Sequence, residues 1–143
     1  MDATHVHNLK AAAAAVFTGH PILAAYAFGS RISGTPRPDS DLDVAYFSSL
    51  AESLPGLPLE EELGLASALS QRLGLAVDLR CLDDATLETR GRVLEEGIRI
   101  YSGDDVRRVS LERATLSYYH DYKAVFIRMR EERLRCKARR GVI

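Results

Sequence analysis

The sequence predicts an α/β (α+β) domain, a small sheet flanked by helices and closed by a long C-terminal helix. Three observations carry this. Segments of strand length, either continuously apolar or alternating, are interleaved with segments of helical period in the order helix, strand, loop, strand, helix, strand, helix, strand, helix. No internal repeat or long linker divides the 143 residues, so a single domain spanning 1–143 is expected. With 46% hydrophobic and 27% charged residues, the chain has enough apolar material for a core, which excludes a disordered or disulfide-scaffold protein.

Each element follows from local chemistry. Residues 3–17 are alanine-rich, with Thr4 as the expected cap, and Gly19-His20-Pro21 ends that helix. Ile22–Phe28 is a short apolar run bounded by Pro21 and Gly29, hence a buried strand. Residues 29–40 hold two glycines and two prolines and are expected to be loop with at most one helical turn. Asp41–Phe47 alternates, Leu42, Val44 and Tyr46 on one side and Asp41, Asp43 and Ala45 on the other, which is a strand of period two.

After a linker over 48–58, a helix is expected from Leu59 to Leu73 with Leu59, Leu63, Ala66, Leu69 and Leu73 as its apolar face and Gly74 as its stop. Leu75–Leu82 alternates as a third strand, with Asp78 and Arg80 opposite Leu75, Val77 and Leu79. Asp83 or Asp84 is the expected cap of a helix that runs to Glu96 and closes at Gly97. Ile98–Tyr101 is a fourth strand, and from about 104 to 140 the chain reads as helix, with Leu116, Tyr119, Tyr122, Phe126 and Met129 as an apolar stripe.

Charge is distributed unevenly. Residues 1–106 carry 8 Lys/Arg against 16 Asp/Glu, whereas residues 107–143 carry 11 against 4, so an acidic body of −8 precedes a basic tail of +7 within a formal net charge of −1. Such a tail either covers its own body or meets an acidic partner. No stretch reaches the roughly 20 apolar residues of a membrane span, and the near-zero net charge offers no case for direct nucleic-acid binding. Cys81 and Cys136 form neither a CxxC pair nor a metal cluster, as expected in a reducing compartment. The run after Lys10 is too short for a signal peptide, and the protein is expected to be cytoplasmic.

The chemistry concentrates in three carboxylates. Asp41 and Asp43 share a strand face, and two like charges so placed raise one pKa unless a cation lies between them. A hard divalent ion such as Mg²⁺, bridging carboxylates to substrate phosphates, answers that need. Asp78 faces away from Val77 and Leu79, where a neighbouring strand would set it beside the pair. An isolated Asp-x-Asp is also an ordinary solvated strand face. Its context distinguishes it: Gly29-Ser30 follows a strand, and glycine with a serine hydroxyl and backbone N–H groups can cradle a phosphate.

Gly29-Ser30, ten residues, then Asp41-Leu42-Asp43 resembles the signature of the nucleotidyltransferase superfamily that includes DNA polymerase beta, and its compact form resembles the minimal nucleotidyltransferases. The helix Leu59–Leu73, the Asp78 strand, the Tyr101 strand and a final helix with Glu112-Arg113 and Tyr122 follow in the family's order, so the resemblance covers most of the chain. It implies the nucleotidyltransferase fold, a small mixed sheet flanked by helices with a C-terminal helix. It further implies two Mg²⁺ ions held by Asp41, Asp43 and Asp78 as catalytic and metal residues, with Gly29, Ser30, Arg31 and Ser40 binding ATP as substrate. Where many relatives carry Arg-x-Arg-Gly this chain has Arg31-Ile32-Ser33-Gly34, so a second arginine on the triphosphate is lacking there; Arg37 is the other nearby cation.

Chains of this size are similar to MntA-type antitoxins, which transfer AMP to a tyrosine hydroxyl of a HEPN-type toxin encoded by a neighbouring gene. That resemblance implies an adenylyltransferase antitoxin whose basic tail and aromatic stripe offer a surface for the toxin. Two alternatives stand beside it: transfer to a small molecule of aminoglycoside type, and a catalytically silent antitoxin acting by occlusion. Arg113 with His120 also resembles the Arg-x4-6-His signature of HEPN ribonucleases, but those are all-helical and the strands here leave no room for such a bundle.

Overall fold

The apolar run Ile22–Phe28 forms the inner strand on which the sheet is assembled. The structure is a computed structural model that describes residues 2–29, 32, 41–50 and 56–141. Its elements are α1 (Ala3–Phe17), β1 (Ile22–Phe28), β2 (Leu42–Ser48), α2 (Leu59–Leu73), β3 (Val77–Cys81), α3 (Leu87–Glu96), β4 (Ile98–Ser102) and α4 (Asp105–Arg139). The four strands lie in the order β3-β2-β1-β4. β1 is antiparallel to both β2 and β4, whereas β2 and β3 are parallel, with α2 as their crossover. The sheet is therefore mixed, as the resemblance implied.

Both faces of the sheet are covered, which explains why β1 is apolar without alternation. Leu42, Val44 and Tyr46 of β2 pack with Leu9, Phe17, Leu65 and Leu69 of α1 and α2. On the opposite face Ala45 and Phe47 join Leu23, Tyr26, Leu82 and Val93. The alternation read along β2 is thus the alternation between two buried layers.

Three local expectations are corrected. Asp2, not Thr4, caps α1, accepting the His5 N–H at 2.9 Å, because a carboxylate just outside the helix reaches a free donor of the first turn. The inward face of α2 runs through Glu62, Leu65 and Leu69, while Leu59 and Leu63 are 71% and 60% exposed. The helix is turned this way because the Glu62 carboxylate takes the buried Tyr46 hydroxyl at 2.5 Å. Asp83 and Asp84 do not cap α3; Thr86 does, accepting from Thr89 N–H. The Asp83 carboxylate is already used, accepting from Ser48 N–H at 3.0 Å, from the Ser48 hydroxyl at 2.5 Å and from Gly56 N–H at 2.8 Å.

α4 is 35 residues long, about 52 Å at the helical rise. Only its first half is docked. The Tyr26 hydroxyl of β1 donates to Glu112 at 3.2 Å, the Arg108 guanidinium pairs with the same carboxylate, and Tyr119 is buried on Gly91 of α3. His120 and Lys123 then reach Glu95 at 3.1 and 3.6 Å. Every described residue from 120 onward is exposed, so the predicted stripe divides: Tyr119 packs inward, and Tyr122, Phe126 and Met129 face solvent.

Candidate active site

The strand register places two of the predicted carboxylates side by side. Asp43 is aligned with Asp78 across the parallel β2/β3 ladder and with Phe28 across the antiparallel β1/β2 ladder. Asp41 lies at the mouth of the same strand, where the next residue, Leu42, donates its N–H to Ala76 O at 2.9 Å. Gly29 directly follows Phe28, and its φ of +88° is a conformation that favours glycine. The Ile32 N–H donates back to Gly29 O at 3.1 Å, so the chain turns as it leaves β1. The bend meets the carboxylates closely: a Cβ at position 29 would stand 2.3 Å from Asp43 Oδ2.

Electrostatics report the same convergence. Burial raises the Asp43 carboxyl above the ordinary carboxylate range; the Arg80 guanidinium opposes the rise, and the charges of Asp78 and Asp41 add to it. Arg80 is a residue that sequence reasoning placed on this strand without a role. Its Nε lies 2.9 Å from Asp78 Oδ2, and both side chains are substantially exposed, at 66% and 41%. The signal was available, since residues two apart on a strand share a face. An ion pair this exposed contributes little and yields readily to a stronger ligand.

The structure sets Asp43 against Gly29 and in register with Asp78, with Asp41 and Asp78 near enough for their charges to act on Asp43. Ser30, Arg31 and Ser40, together with Arg37, lie outside the described residues. Among the described residues no group of three His, Cys, Asp or Glu closes to metal-binding spacing; Asp78 faces Arg80 instead. The donor set nonetheless suits a hard divalent cation, because it consists of carboxylate oxygens only, and their mutual repulsion at Asp43 is what such an ion relieves. The exposed His120 is paired with Glu95 beside a four-stranded sheet, a setting unlike the all-helical bundle of a HEPN ribonuclease. No described helix is long and apolar enough to cross a membrane.

Comparison with known proteins agrees with this geometry. A toxin–antitoxin crystal structure with AMP-PNP superposes with a TM-score of 0.63 at 20% identity, covering 87% of this chain and 98% of that one. The complex of a tri-AMPylated Shewanella oneidensis HEPN toxin with an MNT antitoxin gives a TM-score of 0.62 at 18% identity, with 90% and 98% covered. A structure described as a minimal nucleotidyltransferase gives 0.54 at 28% identity, with 68% and 95% covered. At these identities the toxin–antitoxin structures share the fold. No curated protein matches the sequence. The family model for polymerase beta nucleotidyltransferases matches residues 13–106, which contain both sheet edges of the site, the glycine bend and all three aspartates. The chain belongs to the polymerase beta nucleotidyltransferase family.

Proposed function

We propose that the chain transfers AMP from ATP to a tyrosine hydroxyl of a HEPN-type toxin and so acts as its antitoxin. The observation that supports the chemistry is Asp43, set against the Gly29 bend, in register with Asp78 and raised by the charges of Asp78 and Asp41. The choice of acceptor is supported by the solved structures of the same fold, one a toxin–antitoxin with AMP-PNP and one an MNT antitoxin with its tri-AMPylated HEPN toxin.

In this reading the Gly29 bend and Ser30, with Arg31 and Ser40, grip the triphosphate, backbone N–H groups and the guanidinium meeting its charge. Asp41, Asp43 and Asp78 would hold two Mg²⁺ ions, which when bound acidify the attacking hydroxyl and neutralise the departing pyrophosphate. The acceptor oxygen bonds to the α-phosphorus, the bond from that phosphorus to the bridging oxygen breaks, and the hydroxyl proton is released. The protein's own contribution is positioning: β1 and β2 fix the bend against Asp43, and β3 carries Asp78 into register with it. The exposed half of α4, with Tyr122, Phe126 and Met129 among basic residues, is the surface offered to the toxin.

A second reading, neutralisation by occlusion, is favoured by one observation, the Arg80 side chain that pairs with Asp78 where a metal ion would otherwise be held. Incubation with labelled ATP, Mg²⁺ and the product of the neighbouring gene separates the two. Label on the toxin that disappears with Asp41→Ala and Asp43→Ala supports transfer. Neutralisation that persists in both variants with no label moved supports occlusion, and label moved to an aminoglycoside instead would replace the acceptor.

A further inference from the structure

The sheet face that carries Asp43 leads to a second site. Asp43, Ala45 and Phe47 alternate onto one side of β2, and Phe47, about 13 Å along the strand from Asp43, lines a cavity of about 770 Å³. That volume is in the range of small-molecule sites, roughly 300–1,000 Å³. Leu23, Phe47 and Leu111 give it apolar walls; Arg90 of α3 and Arg107 and Ser110 of α4 give it donors.

The Nε of Arg90 is buried and has no hydrogen-bond partner among the described residues. A buried donor atom without an acceptor costs stability, and folded proteins leave few such atoms unexplained. Arg107 is exposed and forms no ion pair among the described residues. Asp83 also lines the cavity, but its oxygens are held by Ser48 and Gly56, and no ion pair joins it to either arginine among the described residues. Among the described lining residues, two guanidinium groups against one carboxylate leave a single net positive charge facing an apolar floor.

We propose that this cavity binds a small amphipathic monoanion, its ring-sized apolar body against Phe47, Leu23 and Leu111 and its carboxylate, phosphate or sulfonate on Arg90 and Arg107. The site is separate from the three aspartates and does not rest on the transferase reading. It accounts for the one buried side-chain donor without a partner among the described residues, and α4 closes it as a wall.

The test uses 8-anilinonaphthalene-1-sulfonate, an aromatic monoanion, with the full-length protein. Saturable fluorescence at one probe per chain is expected. Arg90→Met should weaken it about tenfold or more, as loss of a charge-assisted bond does, and Ser110→Trp should abolish it by filling the cavity. Leu59→Ser, on the exposed face of α2, should leave it unchanged. The melting temperature of Arg90→Met should hold or rise, since an unsatisfied donor is removed; a fall would make Arg90 a structural residue and overturn the proposal. Displacement of the probe by benzoate assigns a carboxylate ligand, and displacement by AMP assigns a phosphate monoester. Displacement by neither, or binding that survives Arg90→Met and Ser110→Trp, overturns it.

Discussion

Gly29 and Asp43 meet where the chain leaves β1 beside β2, such that a Cβ on residue 29 would lie 2.3 Å from Asp43 Oδ2 and 3.2 Å from its Cγ. The glycine is needed twice, for the φ of +88° and for the space. Gly29→Ala should therefore cost about 1–2 kcal/mol for the backbone conformation alone. It should also push the carboxylate aside, and, with Asp43 in the proposed catalytic role, misplacement by about 1 Å costs on the order of 100-fold in rate. Combining Gly29→Ala with Asp43→Ala should recover the part of the stability loss due to the clash. Denaturant melts of the two single variants and the double variant read that coupling; strictly additive losses would show that the carboxylate and the bend do not press on each other.

Asp43 also gives the site a pH signature. Its carboxyl is raised by burial and by Asp78 and Asp41, with Arg80 opposing, so the native state holds this proton more tightly than the unfolded chain does. Between the ordinary carboxylate value and the raised one, stability attributable to Asp43 falls as pH rises, and the ionised side chain remains a cost above that window. Asp43→Asn should therefore melt at or above the wild-type temperature at neutral pH and flatten the slope through the acidic window. On the proposed function the same substitution should lower AMP transfer by about 100-fold or more, the order of several kcal/mol of lost charge stabilisation. Millimolar Mg²⁺ should raise the melting temperature of the wild type by mass action and leave that of Asp43→Asn unmoved; equal shifts in both would remove Asp43 from the metal site.

What was legible in the sequence follows from the range of the forces involved. The strands Ile22–Phe28 and Leu59–Leu73 helix match to the residue because apolar runs bounded by Pro21, Gly29, Pro58 and Gly74 are decided locally. The sharing of a face by Asp41 and Asp43 is equally local. The orientation of α2 was not, because it is fixed by Glu62 reaching Tyr46 sixteen residues away, and a carboxylate on an inward face breaks the hydrophobic pattern that would have revealed it. Asp83 looked like a cap for the same reason: its partners Ser48 and Gly56 are 35 and 27 residues upstream. The Arg80–Asp78 pair was visible in the spacing, but whether a cation or an arginine answers an acidic strand face depends on its neighbours in space.

Gly91 presents the opposite case to Gly29, a glycine in the middle of a helix. Its missing Cβ would stand 2.1 Å from Tyr119 Cγ and 2.3 Å from Cδ1, so the tyrosine ring rests on bare α3 backbone. Ala is the better helix former by about 1 kcal/mol, yet Gly91→Ala should destabilise the protein by about 1–3 kcal/mol through overpacking. The loss should be accompanied by faster amide exchange in α4, because Tyr119 is the last buried residue that fastens this helix to the body. A stabilised Gly91→Ala variant would mean that the ring leaves its seat at little cost.

Beyond Tyr119 every described residue of the helix is exposed. Phe126 and Met129 are 52% and 55% exposed, and eight Lys or Arg stand between 123 and 140 against two Glu. Phe126→Ser and Met129→Ser should leave folding stability within about 0.5 kcal/mol, as substitutions of exposed side chains do. On the proposed function, capture of a HEPN-type toxin should weaken in both, and the association rate should fall with added salt, as for any encounter steered by a basic helix. Surface binding measured at low and physiological ionic strength decides it. If both variants bind the toxin with wild-type affinity, the partner docks elsewhere on the molecule and the free end of α4 has another use.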